Sequence, residues 1–305
     1  MGLLKKLKAK SVVAFNKVDE GAGKRIFSNT TGVVNSLNGR HLIVNSINSK
    51  MERDEPELFH LVKHGYTKHE NSYDKNMIEE LSKKYDELVE NEDTSFAVAG
   101  DKGRVFGKGI LNPEKNFPEI SKLITKDVIE FLSKYYKGGF KVKNIFCGRN
   151  YNVPEELSKT ERFSNFWHND NDEVSQLKFF VYMSDVTEED GPFRVQSKIR
   201  TKELIKMGFG NRDHYDIPME VLEDPKYVDM FTGPKGTTMF GNVTTCLHRA
   251  GIPEKGHYRD MIQFIIIPSK KPFSEDWFAD VESFDELKFY DPKTDKKYLI
   301  TELKK

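Results

Sequence analysis

Arg259-Asp-Met-Ile-Gln-Phe-Ile-Ile-Ile-Pro268 is the most strongly strand-forming stretch of the chain. β-branched and aromatic residues fill it without helical spacing, and Pro268 closes it. Working outward, Leu177-Lys-Phe-Phe-Val-Tyr-Met-Ser-Asp-Val186 reads as a second strand, and Glu188-Glu-Asp-Gly-Pro192 as a turn into Phe193-Arg-Val-Gln-Ser197. Residues 141–151 and Gly236-Thr-Thr-Met-Phe240 add two more strands, and 201–207 a short helical insert. Before Gly139 the spacing is helical: 55–62 ends at Gly65, 74–90 carries Met77, Ile78, Leu81, Tyr85 and Leu88 on one stripe, and 117–136 repeats the pattern. Helices first and then short strands with long connections read as an α+β class holding a barrel or sandwich.

The 305 residues exceed the usual domain size, yet one barrel with added helices accounts for them. The expectation is a single domain over 1–305. Its 1–139 part is mainly helical, 140–268 is the core with inserts, and 269–305 is an extension anchored by Trp277, Phe278, Phe284, Leu287, Phe289, Tyr290 and Tyr298.

Charge and cysteine narrow the function. With 48 basic and 48 acidic residues the net charge is zero, which argues against a nucleic-acid binder, since displacing counterions needs a positive stripe. Cys147 and Cys246 are far apart, so neither a CxxC nor a disulfide ladder exists, as in a reducing compartment. No window approaches the roughly 20 apolar residues of a membrane helix. In the opening Met1-Gly-Leu-Leu-Lys-Lys-Leu-Lys-Ala-Lys10, Lys6 stands where myristoylation needs Ser or Thr, and there is no long apolar run for secretion. A cytoplasmic protein is expected, with this segment as a solvated helix packing its leucines on the domain rather than an amphipathic surface helix.

Glycine motifs carry no chemistry here. Gly208-Phe-Gly210 lacks a third glycine, and Gly21-Ala-Gly23-Lys24 lacks the spacing of a phosphate loop; both read as turns. The histidines say more. His168-Asn-Asp170 is an HxD, which on an extended segment puts both side chains on one face, at two adjacent vertices of one metal. With 8 histidines and 48 acidic residues in 305, chance supplies about one such triplet. A second, His214-Tyr215-Asp216, lies in a turn-rich stretch without strand support and reads as a loop. His168 instead follows Phe166-Trp167 and precedes the 177–186 strand.

His248 follows the 236–240 strand, and Arg259 heads the strongest strand eleven residues later; two neighbouring strands would bring them to one pocket. His168, Asp170 and His248 form the ligand inventory of a 2-His-1-carboxylate triad, which leaves positions on Fe(II) for a bidentate cosubstrate and dioxygen. Arg259 offers a planar fork for the far carboxylate of 2-oxoglutarate.

These pieces, with Glu189-Asp-Gly-Pro-Phe-Arg-Val195 and the 236–240 strand, resemble the phytanoyl-CoA dioxygenase family of Fe(II)/2-oxoglutarate oxygenases over about 144–268. The resemblance implies a double-stranded β-helix, a cupin-like jelly-roll buttressed by the N-terminal helices. It implies iron at His168, Asp170 and His248, and 2-oxoglutarate on Arg259. Phe180 falls where the family often has an aromatic facing the cosubstrate, with a plain core Phe as the alternative. Asn150, on the strand before the HxD, reads as a hydrogen-bond partner of cosubstrate or substrate, with a turn-capping Asn as the alternative. Related halogenases lack the carboxylate ligand, so Asp170 favours hydroxylation of an unactivated C–H in a small-molecule, lipid-linked or glycan-type substrate.

Departures are Val195-Gln-Ser-Lys198 in place of a Pro-Gly-Ser-His turn, Gly236-Thr237 in place of Gly-Asp, and Arg249-Ala-Gly-Ile-Pro-Glu-Lys255 after His248. None touches a ligand; together they mark a distant member. Arg149 and Arg194 read as surface salt bridges rather than contacts to an anionic substrate. Two other readings stay open: a cupin-like metal hydrolase or isomerase, and a non-catalytic barrel that binds a ligand.

Overall fold

The computed structural model describes residues 39–69, 73–210, 212, 217–284 and 287–302. The opening Leu/Lys segment, the Gly21–Lys24 motif and the second HxD at 214–216 lie outside them. Among the described residues no helix is long and apolar enough to cross a membrane.

Two antiparallel sheets face each other. The larger runs in the order β1 (Tyr66–His69), β8 (Thr238–Gly241), β5 (Leu177–Tyr182), β10 (Tyr258–Ser269), β4 (Gly139–Tyr151), β3 (Arg104–Ile110), β2 (Ser95–Asp101). The smaller is β7 (Val228–Phe231), β6 (Phe193–Gln196), β9 (His248–Ala250), and His168 extends it through a bridge to His248. This is the jelly-roll expected above.

The apolar run of β5 follows from burial on both faces. Leu177, Phe179 and Val181 point outward into one core with Ile262, Phe264 and Ile266 of β10. That core also holds Ile78, Leu81, Tyr85 and Leu88 of the Lys75–Glu90 helix and Val128, Phe131 and Leu132 of the Lys126–Tyr135 helix. Phe131 and Phe179 stack on opposite sides of Phe240, at 4.6 and 4.5 Å between centroids, and a fully buried Phe contributes roughly 2–3 kcal/mol. The alternate residues, Phe180 and Tyr182, point inward to a second core between the sheets with Phe193, Val195, Phe231 and Met239.

The helices start and stop where local chemistry directs. Asp74 accepts from Met77 N at 2.9 Å, and Gly65, at φ 92°, closes the Pro56–His64 helix in a conformation that disfavours any Cβ. The helix expected over 117–136 is instead two pieces. A 3-10 turn covers Pro118–Leu123, and Thr125 then caps a new helix from Lys126, accepting from Val128 N.

The N-terminal part also supplies three strands that its helical spacing did not announce. β2 and β3 form a hairpin whose central residues, Lys102 (φ 50°) and Gly103 (φ 75°), both have the positive φ of a tight two-residue turn. In the C-terminal extension, β11 (Lys288–Asp291) and β12 (Lys296–Leu299) pair as a hairpin. Tyr290 packs over Gly100 of β2 so closely that an added Cβ there would lie 2.1 Å from the ring.

Candidate metal centre

The HxD lies in an extended segment at the edge of the smaller sheet. His168 N donates to His248 O (3.1 Å), His248 N to His168 O (3.0 Å), and Asp170 N to Val243 O (3.1 Å). Trp167 points the other way, as alternation requires, and donates from Nε1 to Glu223 at 2.8 Å. Glu223 also pairs with Arg194 and Arg249 and so ties the HxD segment to β6 and β9 from outside.

On the inner side, candidate ligand atoms of His168, Asp170 and His248 all lie within 4.8 Å of one another. Asp170 Oδ1 is 3.4 Å from His168 Nε2 and 3.8 Å from His248 Nε2. His168 Nδ1 is 2.8 Å from Phe166 O, and His248 Nδ1 is 3.1 Å from Cys246 O. A carbonyl only accepts, so both Nδ1 atoms carry the proton, and both Nε2 lone pairs are free to coordinate.

The electrostatics suit a cation. Burial alone would raise the Asp170 carboxyl, but the Lys178 ammonium holds it well below the usual carboxylate range. Burial, reinforced by His168, pushes His248 well below its ordinary value and keeps it neutral. Lys178 Nζ sits 2.5 Å from Asp170 Oδ2, leaving Oδ1 to face the imidazoles. In the sequence Lys178 is marked only as a single charge on the inward parity of an otherwise apolar strand.

Arg259 stands on the opposite sheet. β9 and β10 are not neighbouring strands, contrary to the expectation: β9 pairs β6, whereas β10 pairs β4 and β5. His248 neighbours Phe193 of the core between the sheets, and Arg259 has the strand parity of Met261, which packs on that same core. Arg259 is 1% exposed, and its Nε and Nη1 have no hydrogen-bond partner. Burial lowers its pKa, opposed by nearby Tyr182, Asp260 and Tyr85, yet a guanidinium stays charged. The adjacent carboxylate of Asp260 cannot satisfy it. That group faces the other side of the sheet and is gripped by Arg149 through Nε (2.7 Å) and Nη2 (2.6 Å). Arg149 is therefore buried behind the barrel, with Asp86 and Glu90 as further partners, and not at the surface.

Asn150 lies directly across from Arg259 in the β4–β10 register and shares its face. Phe180 is inward and buried, 5.1 Å from the Phe193 ring, which is itself 5.6 Å from that of His248. Tyr182 donates to Phe231 O at 2.8 Å and accepts from Phe193 N at 3.2 Å, so it joins the two sheets beside Arg259.

No protein-family model matches the chain, and no curated protein matches its sequence. Solved structures do match in shape. EctD from S. alaskensis, crystallised with 2-oxoglutarate and 5-hydroxyectoine, superposes with a TM-score of 0.51 at 14% identity, covering 79% of this chain and 88% of that one. The epimerase SnoN from nogalamycin biosynthesis, in complex with Fe3+, alpha ketoglutarate and nogalamycin RO, gives 0.50 at 13% identity over 70% and 83%. The non-heme alpha ketoglutarate dependent carbocyclase SnoK gives 0.50 at 13% identity over 75% and 91%.

The chain has the jelly-roll fold of these enzymes. At such identities the likeness concerns the fold, and the chemistry has to be argued from this chain's own side chains.

Proposed function

We propose that this protein is an Fe(II)- and 2-oxoglutarate-dependent oxygenase, a distant relative of the phytanoyl-CoA dioxygenases, that hydroxylates a small-molecule, lipid-linked or glycan-type substrate. His168, Asp170 and His248 would hold the iron, with donors that fit a divalent cation open to further ligands. A His/Asp/His set alone would serve a hydrolase or isomerase equally well. The observation that carries the reading is Arg259: a fully buried guanidinium with two unpartnered nitrogens, on the sheet facing the triad.

An unpaired buried charge is expensive, and the far carboxylate of 2-oxoglutarate would satisfy both nitrogens in a bidentate pair. Asn150, beside Arg259 on the same face, adds a neutral donor for the cosubstrate. Phe180 and Phe193 belong to the apolar core between the sheets, which would keep water from the bound cosubstrate. Bound there, iron and 2-oxoglutarate supply oxidation by dioxygen, with one oxygen atom passing to succinate as carbon dioxide leaves and the other to the substrate.

Hydroxylation is favoured over halogenation because the carboxylate occupies the position a halide would need, and Lys178 anchors its second oxygen. The solved structures of similar fold include an epimerase and a carbocyclase, so the outcome rests on the site and not on the fold. The expected partner is a small-molecule substrate, without nucleic acid.

The test is turnover of 2-oxoglutarate by the Fe(II)-loaded chain under ¹⁸O-labelled dioxygen. One labelled oxygen in succinate is the expected result. No succinate, with a divalent metal bound, would favour the hydrolase reading.

A further inference from the structure

The segment joining β8 to β9 has two sides. On one, Val243 O accepts from Asp170 N and Cys246 O accepts from His248 Nδ1. On the other, Asn242 and Thr245 line a cavity of about 90 Å³ whose remaining polar walls include Arg40, Lys198, Lys202 and Tyr135. No acidic side chain lines it among the described residues.

Among the described residues, three cations thus line the cavity with no acidic side chain beside them. Lys198 and Lys202 lie one turn apart on the Lys198–Lys206 helix, where like charges repel. Lys198 Nζ gives one hydrogen to Val62 O and keeps two. Burial lowers its pKa, and the charges of Lys202 and Arg40 push the same way; the opposing influence is the buried thiol of Cys246, not a carboxylate. A small anion seated in the cavity would answer these charges together.

We propose that this cavity is a binding site for a phosphoryl group. Its volume admits a few waters or one small oxyanion. A tetrahedral dianion presents acceptors in several directions at once, which matches two ammonium groups and a guanidinium, while Asn242 and Thr245 shape the wall with their own donors turned to Val174 O and Asn242 O. A planar carboxylate would leave at least one cation unanswered. The site is separate from the metal centre and does not depend on the oxygenase reading. Its occupant is free inorganic phosphate or the phosphoryl end of a larger metabolite.

The experiment titrates the full-length, metal-free chain in chloride buffer with inorganic phosphate, followed by calorimetry and ³¹P line broadening. The expected result is one saturable site per chain. Arg40→Gln combined with Lys202→Gln, both at exposed positions, should keep the melting temperature and weaken binding roughly tenfold. Lys198→Met should weaken it further. Absence of saturation up to about 10 mM phosphate, or equal affinity in the folded double variant, overturns the proposal. An alkyl phosphate monoester that displaces inorganic phosphate identifies the phosphoryl end of a larger molecule as the occupant. Retention of inorganic phosphate against the monoester identifies the free ion.

Discussion

Lys178 and Asp170 meet at 2.5 Å, Nζ to Oδ2, on the inward face of the barrel, so one carboxylate oxygen is tethered to β5 while the other faces two imidazoles. The tether fixes the approach of the candidate metal ligand and keeps it ionised against burial. Removing one partner of a buried ion pair leaves the other uncompensated.

Lys178→Met should therefore destabilise the metal-free protein by on the order of 3 kcal/mol. The pH dependence has a definite sign. Asp170 has a depressed folded pKa, so its stabilisation is present above its unfolded value, about 3.9, and is lost as pH falls through the folded one. In Lys178→Met burial is less opposed and Asp170 titrates higher, so the acid limb of a melting-temperature profile should move to higher pH. An unmoved limb contradicts the tether.

His168→Ala and Asp170→Ala should each weaken Fe(II) binding by more than roughly 100-fold, since three protein side chains hold the ion. Iron content after desalting reads this out. Should His214→Ala lose iron while His168→Ala retains it, the wrong HxD has been assigned.

Arg259→Lys keeps the charge and loses the fork. Affinity for 2-oxoglutarate should fall by about 1–3 kcal/mol while iron content is unchanged. Arg259→Met separates function from stability. An unpartnered buried guanidinium costs the metal-free fold, so this variant should be more stable by about 1–3 kcal/mol while losing the response to 2-oxoglutarate. A lower melting temperature would mean that Arg259 is satisfied within the protein.

Gly100→Ala should destabilise by about 1–3 kcal/mol, because its Cβ would meet the Tyr290 ring and lift the β11–β12 hairpin. Iron binding should be unaffected, as neither residue touches the triad.

Much of this architecture is legible in the chain, for reasons of periodicity. An HxD on extended backbone has one geometry, so His168 and Asp170 could be paired from spacing alone. β5 and β10 announce themselves because both of their faces are buried. What could not be read is register. Nothing in the distance from His248 to Arg259 tells whether two strands lie side by side or face each other on separate sheets. Nor could burial of Arg149 be foreseen, because its partners Asp86, Glu90 and Asp260 come from two distant segments. Lys178 escaped notice because one lysine in an apolar strand has the same local pattern whether it points to solvent or to a carboxylate. The β2–β3 hairpin was within reach: Asp101-Lys-Gly-Arg104 is a two-residue turn sequence between apolar stretches.

The most direct test of the central claim, that the triad and Arg259 form one site for iron and 2-oxoglutarate, is an anaerobic visible-absorption titration of the full chain. A metal-to-cosubstrate charge-transfer band that needs both Fe(II) and 2-oxoglutarate is the expected result. The band should saturate at one iron per chain, disappear in Asp170→Ala, and require more 2-oxoglutarate in Arg259→Lys. Iron bound at the triad with no band at any 2-oxoglutarate concentration would contradict it.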